Sequence, residues 1–263
     1  FTFGNGSSNN LAYTLGLSRN NTYTDPIYPT GGSSFSFSAK FTFPYSSVNN
    51  VDYSALKTER QDLVNQLTTD PSNTSASERI AVIDQEKFRW LEYYKFKFKG
   101  EWYTALTKKL VLKPTFEFGF LGAYNNDRGI VPFERFFLGG DGLGTYSLDG
   151  RETIALRGYP NQSLSSQDGG SIYNKYSLEL RYPISLGQQA KVYALAFMEG
   201  GYSFNNFRDY NPFELKRSAG LGVRLFMPQF GLLGIDFGHG FDSLQGETDK
   251  HGWETHFIIG QNF

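Results

Sequence analysis

The feature that most constrains this chain is a period of two, repeated along much of its length with rings on one side and charge on the other. In "SSFSFSAKFTF", Phe35, Phe37, Ala39, Phe41 and Phe43 alternate with Ser36, Ser38, Lys40 and Thr42. In "EYYKFKFKGEW", Tyr94, Phe96, Phe98 and Trp102 oppose Lys95, Lys97, Lys99 and Glu101. "LVLKPTFEFGF" sets Leu112, Phe116, Phe118 and Phe120 against Lys113, Thr115 and Glu117, and "KYSLELRY" sets Tyr176, Leu178, Leu180 and Tyr182 against Lys175, Ser177, Glu179 and Arg181. "RSAGLGVRLF" and "GLLGIDFG" oppose Leu and Val to Gly, Ser, Arg224 and Asp236. Successive side chains of a strand point to opposite faces, so the pattern is a strand signature.

An antiparallel sandwich with one wet face also alternates, but such cores are usually rich in Val and Ile. Here the apolar face is Phe, Tyr and Leu, and strand after strand carries charge on the other side. That arrangement suits a transmembrane barrel, whose outside meets lipid and whose inside is polar. Strands of ~10 residues match a tilted crossing of the bilayer. The expected class is therefore all-β, a transmembrane antiparallel β-barrel. The 25 Phe, 17 Tyr and 29 Gly are high for ordinary globular usage. No run of 18 apolar residues is present to span a membrane as a helix.

The connections alternate in length. Short ones fall at "LTKK", "ISLGQQA" and "MPQFG"; long ones occupy residues 45–87, 125–173, 204–215 and 241–252. Outer-membrane barrels have short periplasmic turns and longer external loops, which places the long set outside. "NNTYTDPIYPTGG" is the exception, longer than a minimal turn on the short-turn side. From Leu11 onward about nine strands are expected. That number is odd and too small for a closed single-chain barrel, so further strands are expected upstream or in another piece. The opening "FTFGNG" reads as the end of a strand, and the chain is expected to be a fragment or a processed form, with no signal peptide at its start.

Residues 45–87 differ from their surroundings. "SALKTERQDLVNQL" and "SERIAVIDQEKFRWLEYY" have helical spacing, and Ser75 with Glu78 has the spacing of a capping box. The expectation is a partly helical, solvated extracellular insert, the alternative being a docking site for a partner.

Other chemistry is scarce. A net charge of -1 gives no electrostatic case for nucleic acid, and the absence of cysteine excludes disulfides, thiol catalysis and Cys-based zinc sites. Asp236 and His239 point to opposite faces of a regular strand, which argues against a membrane hydrolase built on them. There is no G-x-S-x-G elbow, and "GGDGLG" lacks the spacing and context of a nucleotide loop. His251 and His256 complete the histidines, and nothing has the spacing of a metal site.

The segment "VPFERFFLGGDGLGTYSLDGRETIALRGYP" resembles the sixth extracellular loop of the BamA family, the central subunit of the outer-membrane β-barrel assembly machine. The resemblance is carried by Phe133, Glu134, Phe136, Gly139 and Gly140, then by Leu156, Arg157, Gly158 and Tyr159. It continues through "YSLELRYPI", "FMEGGYSF" and "RSAGLGVRLFMPQFGLLGIDFGHGF" to "FIIGQNF", and more loosely before residue 124, where "YPTGG" resembles the family's P-T-x-G.

The resemblance implies the C-terminal part of a sixteen-stranded barrel, with the N-terminal strands and the periplasmic POTRA domains outside this sequence. It implies that loop 125–173 bends inward so that Arg157 reaches acids on the lumen wall. The matching acids are Glu179 and Glu199. Glu179 belongs to the polar face of its strand. Glu199 shares parity with Leu195 and Phe197, so its inward direction is implied by the resemblance alone. Phe257, Ile259, Gly260 and Phe263 lie on the final strand, which in the family pairs weakly with the first as a lateral gate, and Gly260 matches the position where that strand bends.

The implied function is insertion and folding of β-barrel proteins in the bacterial outer membrane through that gate, without ATP or any cofactor. The implied partners are unfolded β-barrel clients, outer-membrane lipids and accessory lipoprotein subunits. Alternatives are a TamA-like or two-partner-secretion transporter such as FhaC, a passive porin or uptake channel, and an outer-membrane enzyme.

Overall fold

The computed structural model describes residues 6–23, 25–142, 151–244 and 246–260. Its strands are β1 (Ala12–Asn20), β2 (Gly31–Thr42), β3 (Tyr94–Ala105), β4 (Val111–Gly122), β5 (Phe136–Leu138), β6 (Glu152–Ile154), β7 (Ile172–Leu186), β8 (Lys191–Phe204), β9 (Lys216–Met227), β10 (Gly231–Ser243) and β11 (Lys250–Gly260). Two helices, α1 (Tyr53–Thr69) and α2 (Thr74–Phe88), fall between β2 and β3. Nine strands form one sheet in the order β1-β2-β3-β4-β7-β8-β9-β10-β11, and β5 pairs with β6 in a separate two-stranded sheet. From β4 onward the strands of the large sheet pair antiparallel with their neighbours. Among the described residues no helix is long and apolar enough to cross a membrane.

The sheet is inside out by the standards of a protein in water. On β7 the charged side chains Lys175, Glu179 and Arg181 are buried, while Tyr176, Leu178, Tyr182, Ile184 and Leu186 are exposed. On β9 and β10, Ser218, Arg224 and Asp236 are buried and Leu221, Val223, Phe237 and Phe241 are exposed. On β11, His256 is 3% exposed, while Trp253 and Ile259 on its other face are 72% and 64% exposed. Apolar surface of this extent costs about 25 cal/mol per Å² in water. A hydrocarbon surround removes that penalty, and the paired strands leave few backbone groups unsatisfied.

The short connections are 106–110, 187–190 and 228–230; the longer ones are 43–93, 123–171, 205–215 and 244–249. The last is narrower than the expected 241–252, because β10 runs to Ser243 and β11 starts at Lys250 past a register shift between Gly240 and Ser243.

The chain divides into two compact units. The first comprises Phe1–Leu15, Ala39–Phe96 and Leu121–Pro132 and contains the helices. Asp52 caps α1 by accepting from the Ala55 N–H at 3.0 Å, and Asn73 caps α2 by accepting from the Ala76 N–H at 3.0 Å. The cap of α2 is therefore Asn73, and Ser75 and Glu78 do not open the helix: Asn73 sits one residue before the first helical position, where an Asx oxygen reaches the free N–H groups. Arg60 grips Asp84 through two hydrogen bonds of 2.7 and 3.1 Å and ties the helices together. Arg128 is buried against Glu92 at 2.6 Å, donates to the Lys87 carbonyl at 2.7 Å and bonds the Trp90 carbonyl. Glu92 also accepts from the Ser46 N–H and Oγ, each at 2.7 Å.

The second unit, Gly16–Ser38, Lys97–Phe120 and Phe133–Phe263, holds the inward loop. The exceptional connection before β2 folds back in it. Asp25 accepts from the N–H groups of Ile27 and Tyr28 at 2.8 and 3.1 Å and pairs with Lys191 at 2.5 Å. Ile27 and Tyr28 are thereby buried against Val111, Tyr193, Leu195 and Phe197, and the Tyr28 hydroxyl donates to the Arg181 carbonyl at 2.9 Å.

Replacing Arg128 with Ala strands the buried Glu92 carboxylate, a change that typically costs about 3–5 kcal/mol. Limited proteolysis is expected to cut the helical insert of Arg128→Ala faster than wild type; equal cleavage rates would show that this ion pair does not hold the insert.

Candidate functional site

Within the long connection 123–171, the segments 136–140 and 154–159 are largely buried. β5 and β6 pair in parallel, Phe136 against Glu152 and Leu138 against Ile154. The pairing continues irregularly, with the Gly139 N–H on the Ile154 carbonyl and the Gly140 N–H on the Leu156 carbonyl, both at 3.0 Å. The Leu138 N–H donates to Ser165 Oγ at 2.7 Å, and Phe136 and Gly170 exchange backbone bonds of 2.9 and 2.8 Å. A loop whose backbone satisfies itself in this way can leave water without orphaned groups. Phe136, Leu138, Leu156 and Tyr159 are fully buried.

Strand register prepares the surface this loop meets. Arg181, Leu195, Gly222, Asp236 and His256 are partners in succession across β7 to β11. Glu179, Phe197, Gly220 and Gly238 form the adjacent row, and Ser177, Glu199, Ser218 and Gly240 the next. Cross-strand partners share a face, so Glu199 lies on the same side as Glu179 and Asp236. Leu195 and Phe197 are buried with it, at 4% and 2% exposure. The inner side of β8 is thus partly apolar, and Glu199 faces the same way as the two apolar residues whose parity it shares. The reason lies in what they receive: Tyr193, Leu195 and Phe197 pack against Ile27 and Tyr28, and Phe197 also lies beneath Arg157.

Arg157 occupies the meeting point of the three rows. Its Nη2 donates to Glu179 Oε1 at 2.9 Å and Glu199 Oε1 at 2.7 Å, and its Nη1 donates to Asp236 Oδ2 at 3.2 Å. Its backbone N–H donates to Glu199 Oε2 at 2.8 Å, and its guanidinium lies 3.8 Å from the centre of the Phe197 ring. Burial acts against the charge of Arg157, but the carboxylates of Glu199, Glu179 and Asp236 outweigh it and hold its pKa above the ordinary value. The carboxylates are braced in turn. Arg181 grips Glu179 at 2.6 and 2.9 Å, Arg224 grips Asp236 through two bonds of 2.6 Å, and Ser177 Oγ donates to Glu199 at 3.1 Å. Lys175 stands 3.6 Å from Glu199.

The rest of the motif packs around this centre. Gly158 has φ +85°, and a Cβ there would lie 2.8 Å from Ser218 Cβ and 3.2 Å from the Gly240 N. Its backbone is pressed against β9 and β10, so both conformation and space exclude a side chain. The Tyr159 hydroxyl donates to the Arg217 carbonyl at 2.6 Å and accepts from the Asp242 N–H at 3.2 Å, with its ring stacked on His251.

Of the sequence-derived candidates, Leu156, Arg157, Gly158, Tyr159, Glu179 and Glu199 come together here. Phe257 and Ile259 do not: they are exposed on the opposite face of β11. Gly260 remains paired with Leu232, and Phe263 lies outside the described residues. Residues that sequence reasoning missed are Asp236, Arg181, Arg224 and His256. Asp236 carried a signal, since it alternates with Gly234, Gly238 and Gly240 on the small, non-lipid face of β10. His239 stands on the other face of that strand, packed on Phe241 and Trp253.

The sequence matches the Omp85 superfamily domain over residues 3–263. The chain belongs to the Omp85 superfamily. A search of curated proteins finds no match. Among solved structures, the chain is similar to BamA from Haemophilus ducreyi lacking POTRA domains 1–3, with TM-score 0.56 and 18% identity, over 94% of this chain and 42% of that one. The Omp85 chain described here therefore spans less than half of that relative, and its fold is that of the C-terminal part of a BamA barrel. Its inside-out sheet is accordingly the wall of a bacterial outer-membrane β-barrel, with lipid against the apolar face.

Heat-modifiability on gels measures how firmly this Omp85 wall is held. Arg157→Ala removes the shared partner of three carboxylates and leaves Glu199 with Ser177 and Lys175 alone; it is expected to lower the unfolding temperature markedly, with a loss of about 3–5 kcal/mol of stability. Arg157→Lys, a point charge without the planar fork, should fall between Ala and wild type. A second expectation concerns coupling: Arg157→Ala combined with Glu199→Gln should cost less than the sum of the single changes. Strict additivity would mean the two groups do not interact in the membrane.

Proposed function

We propose that this chain forms the C-terminal part of the barrel of an outer-membrane assembly factor, which inserts and folds β-barrel proteins through a lateral gate at its last strand. The observation that carries the reading is the inward loop, fixed by Arg157 to Glu179, Glu199 and Asp236 on three different strands. Such a loop occupies the space a passive pore would leave open, and Ile27 and Tyr28 take up more of it. These two features favour an assembly or transport role over a porin. β11 stands at one edge of the nine-stranded sheet. A strand edge presents unpaired N–H and C=O groups, on which an unfolded client forms its own strand by β-augmentation. The client's folding supplies the driving force, so no ATP or cofactor is required.

The partners on this reading are unfolded β-barrel clients, outer-membrane lipids against Met198, Leu221, Trp253, Phe257 and Ile259, and accessory lipoprotein subunits. The superfamily also supports a TamA-like or two-partner-secretion transporter, and the number of POTRA domains joined to the barrel distinguishes these: five for the assembly factor, two for the secretion pore.

Depletion of the whole protein is expected to lower the amount of folded β-barrel proteins in the outer membrane. A disulfide tying the last strand to the first strand of the barrel is expected to block client assembly until it is reduced. Normal assembly with the disulfide formed would eliminate the gate, and normal assembly after depletion would eliminate the function.

A further inference from the structure

The Gly158 N–H and the last strand of the sheet meet through one side chain. His256 projects from the concealed face of β11, in the same cross-strand row as Asp236, and its Nε2 lies 2.7 Å from the Gly158 nitrogen. The amide can only donate, so Nε2 must present its lone pair, and the ring proton belongs on Nδ1. The surroundings leave the amide little alternative. A Cβ placed on Gly238 would come within 2.7 Å of the Gly158 N, and one on Gly240 within 2.6 Å of the Gly158 O. The glycines of β10 thus let the motif's backbone lie directly on the sheet, where the pair is buried.

We infer that His256 is a positioning residue that ties the edge strand β11 to the seated Arg157 motif, so that loop seating and pairing of the last strand are one coupled equilibrium. Arg157 bonds acids on β7, β8 and β10, and the adjoining Gly158 bonds β11. When β11 leaves β10, a buried N–H loses its acceptor; when the loop withdraws, β11 loses a contact on its inner side. Each event therefore favours the other, and the coupling is reciprocal. Tyr159 stacked on His251 adds a second contact between the motif and the same strand. The tie deepens the proposed gate, and for its role in client assembly it rests on that reading.

Hydrogen exchange of the full-length protein in lipid nanodiscs tests the tie without reference to function. His256→Phe keeps a ring and removes the acceptor; its β11 amides are expected to exchange about tenfold faster than wild type, the scale of one lost buried hydrogen bond. His256→Gln, whose Oε1 can accept from the amide, should recover most of that protection. Exchange in His256→Phe equal to wild type, or His256→Gln as fast as His256→Phe, would overturn the tie.

Nitrogen NMR of the histidines in the wild-type protein covers the case in which a variant does not fold. The tie requires an unprotonated Nε2 on His256, and a proton found there overturns it. Client assembly is then measured on the same variants. Faster β11 exchange with unaltered client folding would leave the tie standing and defeat the gate reading instead.

Discussion

One buried guanidinium organises the inner side of this sheet. Arg157 meets Glu179, Glu199 and Asp236 from β7, β8 and β10, and each of those strands receives it through a carboxylate held by another residue. A charge in such a place is costly unless its partners are already in position, because desolvation is offset only by good geometry. Arg181, Arg224 and Ser177 supply that positioning. The loop, in turn, must satisfy its own backbone to carry an arginine so far from water, which accounts for the short parallel pair of β5 and β6 and the backbone bonding within residues 136–140 and 154–170.

The same sheet has to meet two opposed solvents. Its outer side presents Leu, Met, Phe, Trp and Tyr to lipid, while its inner side carries ion pairs among strands. Small residues separate these demands on β9 and β10. Ser218, Gly238 and Gly240 leave room for the loop's backbone, Gly220 for the Phe197 ring and Gly222 for the Asp236 carboxylate, while Leu221, Val223, Phe237 and Phe241 point outward. Where apolar residues do turn inward, on β8, they have particular occupants: Phe197 lies under the guanidinium, and Tyr193 and Leu195 pack with Ile27 and Tyr28. The helical insert is held separately, by Arg128 on Glu92 in a pair more deeply buried than that of Arg157 with Glu179.

Much of the architecture was legible because alternation is local. The parity of "KYSLELRY" assigned Glu179 and Arg181 to one face and the rings to the other, as the structure has them. The length pattern of the connections separated turns from loops, and the nine strands expected from Leu11 onward are the nine of the large sheet. Glu199 was not legible in that way: its parity neighbours are Leu195 and Phe197, and hydrophobicity cannot distinguish a lipid-facing phenylalanine from one lying under an arginine. The capping of α2 by Asn73 was missed because two nearby residues compete for the same cap, and only the start of the helix decides between them.

The strand count, the two-faced chemistry of the sheet, the helical character of the insert and the presence of an arginine motif in a long connection were all readable from the chain, since each depends on spacing within a few residues. That Asp236 joins Glu179 and Glu199 on that arginine, and that His256 receives the Gly158 N–H, emerged only from the folded structure. Those contacts depend on register between strands far apart in the chain. A shift of one residue would turn every side chain of a strand to the opposite face. Register is set by the pairing of whole strands and by the fit of the loop's backbone against glycines, and no short stretch of sequence contains either.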